Sequence, residues 1–118
     1  MGSRFRVFVD LHNPGPKDAS PFFYTSPPEL LREPASLDRF LEAGRAEITG
    51  PLAANGKTRE SGPAYDKNWE KISKNWVSRA TGAVAVTLET TWNTPNSTTD
   101  NYRRVGRELG CAIERFLR

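Results

Sequence analysis

Cysteine, histidine and long hydrophobic runs are scarce in this sequence of 118 residues. Cys111 is the only cysteine, which excludes an internal disulfide and a zinc cluster built from several thiolates. His12 is the only histidine, so any metal site or histidine-dependent triad built by this chain alone must use that imidazole. The apolar runs fall far short of the ~18 residues of a transmembrane helix, and we expect no membrane association.

The N-terminus also lacks the basic-then-apolar pattern of a signal peptide. Nothing in the sequence therefore directs secretion, and a single cysteine suits either a cytosolic or a secreted protein. The compartment stays open, with the cytoplasm slightly favoured. Met1, Gly2 and Ser3 are consistent with a remnant of cloning and carry no weight in the fold prediction.

Positive charge is in small excess, with 17 Lys and Arg residues against 14 Asp and Glu residues and a net charge of +3. Nucleic-acid-binding proteins concentrate basic residues on one face and place aromatic residues among them. Arg103, Arg104 and Arg107 lie close together, but acidic residues share their segment, which favours a solvated helix. We therefore do not expect a nucleic-acid partner.

The hydrophobic pattern alternates between strands and amphipathic helices. In chain order it predicts a strand at 5–11, a loop at 17–28, a helix beginning near Ser36, a loop at 50–62, a helix at 66–80, a strand at 83–88, a loop at 90–99 and a helix at 100–117. Strands that alternate with helices indicate an α/β fold with partly parallel strands. We predict a partial mixed sheet with mostly parallel central strands and three amphipathic helices.

Two central strands cannot cover the apolar faces of three helices. The predicted helix at 66–80 adds an inward stripe of apolar residues, namely Trp69, Ile72, Trp76, Val77 and Ala80, and Gly82 is available as its C-cap. Either short strands from the two long loops extend the sheet, or further sheet is supplied from elsewhere.

Polar residues end both apolar strands. His12 closes the first strand and Glu89 follows the second, and in parallel α/β sheets ligands gather at these carboxyl ends. Asp10 shares a strand face with His12, where its carboxylate could orient a metal-ligating imidazole. A histidine ligand and a glutamate base suit a zinc hydrolase, because zinc lowers the pKa of water to roughly 7 and the carboxylate takes its proton.

Simpler explanations exist for both residues. A histidine before Asn13 and Pro14 suits a turn, and a glutamate after an apolar strand suits a solvated strand end. Finding both residues at matching strand ends leaves the metal-site hypothesis and the structural interpretation about equally supported.

Two short motifs carry a family resemblance. D-L-H-N-P at 10–14 and T-L-E-T at 87–90 resemble the second half of the zinc carboxypeptidase family, the carboxypeptidase A-like peptidases. In that family a zinc-ligating histidine ends one core strand, a general-base glutamate ends a later one, and an amphipathic helix follows. The D-L-H-N motif also resembles the related aspartoacylase and succinylglutamate desuccinylase branch, which is the nearest alternative.

The resemblance implies roles for individual residues. His12 would be a zinc ligand and Glu89 the general base and proton shuttle. Tyr65 lies where the family places a mobile tyrosine that closes over the substrate, although packing on a neighbouring tryptophan explains it equally well. Thr87 would line the side-chain pocket or be buried in the sheet. Asn13 would hydrogen-bond the substrate or cap the proline turn that follows it.

Parts of the family pattern have no counterpart in this sequence. The H-x-x-E ligand pair is absent, and the arginines that bind the substrate's terminal carboxylate belong to the first half of the family's domain. Residues 1–118 are therefore predicted to be the C-terminal part of a catalytic domain, with a sheet incomplete relative to the full domain. The implied cofactor is one zinc ion, incompletely ligated by this chain. The implied partners are a peptide or acylated amino-acid substrate and the missing N-terminal half, and the isolated chain is expected to be inactive.

A different class of function is the alternative. The chain could be a non-catalytic binding module with a degenerate carboxypeptidase-like fold, whose uncovered apolar surface forms a protein interface, for example in a homodimer. The spacing of Lys74 would suit an acidic substrate, but this residue lies in the predicted helix at 66–80 and is expected to be solvated.

Overall fold

The computed structural model describes residues 5–118, and the interpretation of Met1, Gly2 and Ser3 as a cloning remnant lies outside these residues. Within the described range the chain forms four strands and three α-helices. They are β1 (Val7–His12), β2 (Phe22–Thr25), α1 (Pro34–Glu47), β3 (Thr58–Glu60), α2 (Ser73–Thr81), β4 (Val84–Glu89) and α3 (Thr99–Leu117). Across residues 5–118, no helix combines the length and the apolar character needed to cross a bilayer.

The strands form one mixed sheet in the order β1-β4-β2-β3. β1 runs parallel to β4, in a register that pairs Val9 with Val86 and His12 with Glu89. β2 runs antiparallel to β4 and parallel to β3. The predicted α/β fold, with a mixed sheet, mostly parallel strands and three helices, is confirmed.

Two segments predicted as loops contribute strands, so that part of the sequence prediction is wrong. β2 comes from the predicted loop at 17–28, where two phenylalanines, a tyrosine and a threonine favour extended backbone. β3 comes from the predicted loop at 50–62 and has three exposed residues at the sheet edge, so it has no apolar alternation to detect. These short strands extend the sheet, as one of the two alternatives required.

The sheet has one apolar face, which packs against α1 and α3. On β4, Val84, Val86 and Leu88 belong to the buried core, because alternate residues of a strand share a face. Phe40 of α1 has no exposed surface and lies at the centre of this layer. Its ring meets those of Phe23 and Phe116 edge to face, with centroids 6.1 and 5.6 Å apart.

Helix α2 covers the other face of the sheet and is oriented differently from the prediction. The predicted inward stripe is wrong, since Trp76 is 55% exposed, whereas Lys74, Asn75 and Ser78 are buried. The helix begins only at Ser73, after a separate 3-10 turn at Trp69–Lys71, so the apolar residues do not form one continuous stripe. Its left-handed C-cap is Gly82, with φ of 73°, as predicted.

Candidate active site

A cavity of about 310 Å³ opens at the carboxyl ends of β1 and β4, on the face opposite the apolar core. All six residues singled out from the sequence line it, namely Asp10, His12, Asn13, Tyr65, Thr87 and Glu89. Strands β1, β2 and β4 supply its walls. Alternate residues of each strand have their side chains on this face of the sheet.

His12 and Glu89 are direct neighbours across the β1–β4 ladder. The Glu89 side chain is 6% exposed, and its Oε2 atom is buried without a hydrogen-bond partner among the described residues. Burial raises the pKa of Glu89, an effect that the nearby imidazole of His12 opposes and the nearby carboxylate of Asp10 reinforces. The site therefore holds a desolvated carboxylate beside an exposed imidazole.

Asp10 lies two residues before His12 on the same strand and lines the same cavity. Within residues 5–118, its carboxylate makes no hydrogen bond to the imidazole, and its suggested orienting role stays a prediction.

Two loops are tied together at the mouth of the cavity. Asn13 Nδ2 donates a hydrogen bond to the Thr90 carbonyl at 2.7 Å, and Trp92 Nε1 donates to the Pro14 carbonyl at 2.9 Å. These bonds join the segment after β1 to the segment after β4, so both strand ends are held in one place. The Asn13 amide group is used in this tie, and the structure leaves its suggested contact with substrate untested.

Tyr24 is a common neighbour of Thr87 and Tyr65 in the wall of the cavity. Thr87 is 7% exposed, pairs with Tyr24 across the β2–β4 ladder and shares a strand face with Glu89. The ring of Tyr65 is 53% exposed and contacts Tyr24, with centroids 5.2 Å apart. Burial and the neighbouring Tyr24 raise the pKa of the Tyr65 hydroxyl. The observed ring contact of Tyr65 is with this tyrosine.

The sequence analysis missed a polar cluster at one end of the cavity. Lys74 is 1% exposed, so the expectation that it is solvated is wrong. Its ammonium group donates to Ser61 Oγ and, at 2.6 Å, to Asn75 Oδ1. Burial lowers the pKa of Lys74 to about 8. The sequence does contain a pattern that indicates this cluster, because Lys74 and Ser78 are four residues apart and share one face of a helix. A search for apolar stripes does not detect a polar face.

The cavity fits one part of a zinc site. Catalytic zinc sites use three protein ligands and an open position, whereas no group of three or more His, Cys, Asp and Glu side chains within residues 5–118 is arranged to hold a metal ion. The His12 imidazole forms no hydrogen bond in this part of the chain, and Glu89 Oε2 is unpartnered. An imidazole ligand with a neighbouring carboxylate base suits part of a zinc site, but these two groups do not complete one.

Comparisons with known proteins support the fold. The chain is similar to the metallo-carboxypeptidase from Burkholderia cenocepacia, with a TM-score of 0.74 and 17% identity, over 94% of this chain and 30% of that one. It is also similar to a protein of Burkholderia mallei ATCC 23344 provisionally named a carboxypeptidase, with a TM-score of 0.66 and 15% identity, over 95% and 31% of the two chains. No family model and no curated protein matches the sequence.

The fold is therefore zinc carboxypeptidase-like, and the resemblance in fold that the two motifs indicated is confirmed. The chain spans less than a third of the length of either similar structure.

Proposed function

We propose that this chain is part of a zinc-dependent hydrolase that cleaves peptide or amide bonds, with a metallocarboxypeptidase-like mechanism. The observation that carries the proposal is the pairing of His12 with the buried Glu89 at adjacent strand ends, around one cavity, in a zinc carboxypeptidase-like fold. The substrate is a peptide or an acylated amino acid, and the deacylase branch of the resemblance is the alternative within this class.

Glu89 is the proton carrier. A general base works best when its pKa lies near the working pH, and burial moves the pKa of Glu89 upward from the ordinary glutamate value. Its unpartnered Oε2 is free to accept a proton from water and to return that proton to the leaving amine. Because the carboxylate is buried, water stabilises its charged form less, and its affinity for a proton is higher than that of an exposed glutamate.

His12 is one ligand of the metal. A zinc ion supplies Lewis acidity at such a site, which lowers the pKa of water and polarises the scissile carbonyl. The exposed imidazole of His12 lies next to Glu89 in the ladder, so the ligand and the base meet on the same side of the sheet. Asp10 would orient the imidazole, and Asn13, Thr87 and Tyr65 would contact the substrate.

The other ligands and the carboxylate-binding arginines would come from a further part of the catalytic domain, of which residues 1–118 are the C-terminal part. One histidine and a nearby carboxylate hold zinc weakly. We therefore expect little or no hydrolysis by the isolated chain, and a robust, chelator-sensitive amidase activity of this chain alone would contradict that expectation.

Titration calorimetry with zinc tests the metal role of His12. We expect weak binding by the unmodified chain, loss of that binding in His12→Ala, and unchanged binding in Asp38→Ala, which removes an exposed carboxylate from α1 far along the chain from the cavity. Zinc binding that is absent, or that survives in His12→Ala, would remove the support for a metal site at this position.

A binding or dimerisation module is the second candidate, and one surface favours it. Strand β1 lies at the edge of the sheet, and Leu11 is 64% exposed. Beside it, a groove of about 580 Å³ is lined mainly by apolar side chains, including Val105 and Leu109 of α3. A concentration-dependent dimer in light scattering that Leu11→Glu abolishes, together with no zinc binding, would favour this candidate over the hydrolase.

A further inference from the structure

A second cavity, of about 330 Å³, lies between the loop that precedes β2 and the start of β3. We call it the basic cleft, because its charged lining residues are Lys17, Lys57 and Arg59 with a single acidic side chain, Asp18. It is distinct from the candidate active site, although Asp18 and Phe22 line both. A concave surface with an excess of one sign of charge attracts a ligand of the opposite sign.

The charges of the basic cleft do not cancel. Asp18 Oδ1 accepts from Arg59 Nη2 at 2.7 Å, so this carboxylate offsets the guanidinium group. Within residues 5–118, neither Lys17 nor Lys57 forms an ion pair. The cleft therefore keeps two ammonium groups that no carboxylate of this part of the chain neutralises, and an anion with two negative charges would match them.

The backbone that carries Lys17 is fixed. The Asp18 N–H donates to the Gly15 carbonyl at 3.0 Å and closes a turn that contains this lysine. The carbonyl of the preceding Pro16 accepts from Asn93 Nδ2 at 3.2 Å, which ties the turn to the segment after β4. Binding at the ammonium group therefore orders the lysine side chain and not the loop.

Lys57 is fixed in a different way. It follows a tight turn in which Asn55 and Gly56 have φ of 52° and 79°. Its N–H donates to the Ala54 carbonyl at 2.9 Å, and its carbonyl accepts from the Phe23 N–H at 3.0 Å. Because both lysines extend from fixed backbone, a ligand between them loses less free energy to ordering of the protein.

Two further groups add hydrogen-bond donors. The Arg59 guanidinium lies over the ring of Phe22, 3.9 Å from its centroid, and this contact together with Asp18 holds it in place. The side chain of Ser20 is partly buried and lines the cleft, and its hydroxyl forms no hydrogen bond among the residues that the structure describes. The donors thus include ammonium, guanidinium and hydroxyl groups from separate segments.

This set of donors fits a phosphate group better than a carboxylate. A phosphate monoester has a charge of about −1.5 to −2 at pH 7 and three strong acceptor oxygens. A carboxylate has one charge and two oxygens, and would leave one of the lysines without a counter-charge. A phosphodiester also has only one charge per phosphate, which agrees with the expectation that nucleic acid is not a partner.

We propose that the basic cleft binds a phosphate group, either free or as a monoester, between Lys17 and Lys57. This inference goes beyond the hydrolase proposed above, because the binding needs neither zinc nor turnover. Arg59 and Ser20 supply the additional hydrogen bonds in this assignment.

Nuclear magnetic resonance on the 15N-labelled chain tests the proposal. The chain is titrated at pH 7.5 in EDTA with inorganic phosphate, with phenyl phosphate and with acetate, all at the same ionic strength. We expect both phosphate compounds to shift the backbone amide signals of Ser20 and Lys57, with a Kd at least about tenfold lower than that of acetate. Tighter binding of phenyl phosphate would identify the ligand as a monoester, and equal binding would identify it as phosphate itself. An equal Kd for acetate, or shifts confined to other parts of the chain, would overturn the proposal.

Substitutions that remove one charge at a time complete the test. Lys17→Gln and Lys57→Gln should each weaken phosphate binding at least about threefold, as expected for an exposed charge pair, and the double variant should abolish the shifts. Lys67→Gln removes the same charge from an exposed lysine outside the cleft and should retain the affinity.

Both lysines of the cleft are exposed, so we expect the variants to keep the urea midpoint of the unmodified chain. Phosphate binding that survives in the double variant, or that Lys67→Gln weakens equally, would contradict the assignment. Because EDTA removes zinc, failure here leaves the zinc-binding test of His12 unaffected.

Discussion

The two faces of the sheet differ in what they bury. On β4, Val84, Val86 and Leu88 point into the apolar layer formed with α1 and α3, while Thr87 and Glu89 point into the cavity. Both sets are buried to a similar degree, with Leu88 1% and Glu89 6% exposed. The alternation of a single strand therefore separates a layer that stabilises the fold from a layer that holds reactive groups.

The two faces also differ in whether their buried groups have partners. The apolar face has its contacts satisfied, and removal of apolar area from water stabilises it. The cavity face instead keeps an unpartnered carboxylate oxygen on Glu89 and an ammonium group without an ion pair on Lys74, in the part of the chain that the structure describes. Buried polar groups without a partner lower the stability of the fold, and such groups are concentrated at sites that bind or react with a ligand.

The largest effect is expected on the apolar face. Phe40→Ala should lower the free energy of unfolding by about 3–5 kcal/mol, because it removes a fully buried ring and leaves a cavity between Phe23 and Phe116. Urea unfolding followed by circular dichroism measures the loss. Leu117→Ala, at a side chain that is 40% exposed, is the control and should cost far less. A similar loss in both variants would show that this layer is not the main source of stability.

The sequence predicted the location of the cavity residues on the strands better than that of the cavity residues on the helix. Val86, Thr87, Leu88 and Glu89 alternate between two environments, and strand alternation fixes their faces once the strand is found. His12 was found in the same way at the end of its strand. Their places on the strands follow from local pattern, whereas the roles assigned to them come from the family resemblance.

The polar cluster of α2 did not follow from local pattern. Amphipathicity assumes that apolar residues face inward, but the buried face of α2 has Lys74, Asn75 and Ser78. Asn75 is buried because the loop carbonyls of Ser61 and Trp69 need donors, and that requirement depends on contacts distant in sequence. β3 was missed for a related reason, since its extended conformation depends on pairing with β2, which is distant in sequence, and its own residues show no apolar alternation.

An intermediate effect is expected from pH on the cavity face. The pKa of Lys74 is about 8 in the folded chain against an ordinary value of 10.5, with burial opposed by the charge of Glu60. Between these values the unfolded chain binds more protons than the folded one, so the free energy of unfolding contributed by Lys74 rises with pH. Below pH 8 both states are protonated and the contribution is flat.

Urea unfolding at several pH values between 7 and 10 measures this contribution. The difference in stability between the unmodified chain and Lys74→Met should change across that range in favour of the unmodified chain. The exposed Lys71→Met is the matched control and should show a constant difference. A constant difference for Lys74→Met as well would mean that burial does not destabilise the ammonium group. The cavity face would then bury its polar groups without the cost in stability that the structure indicates.

The smallest effect on stability is expected for Thr87→Val. The Thr87 hydroxyl makes no hydrogen bond within residues 5–118 and faces the cavity, so replacing it with a methyl group should change the free energy of unfolding by less than about 0.5 kcal/mol. Ligand binding is the sharper readout, because the substitution alters the wall of the cavity next to Glu89 and leaves the apolar face untouched. We expect a weaker affinity for an acylated amino acid, the substrate class proposed above, with an unchanged urea midpoint. A large loss of stability would assign Thr87 to the fold, and unchanged affinity would remove it from the substrate-binding wall.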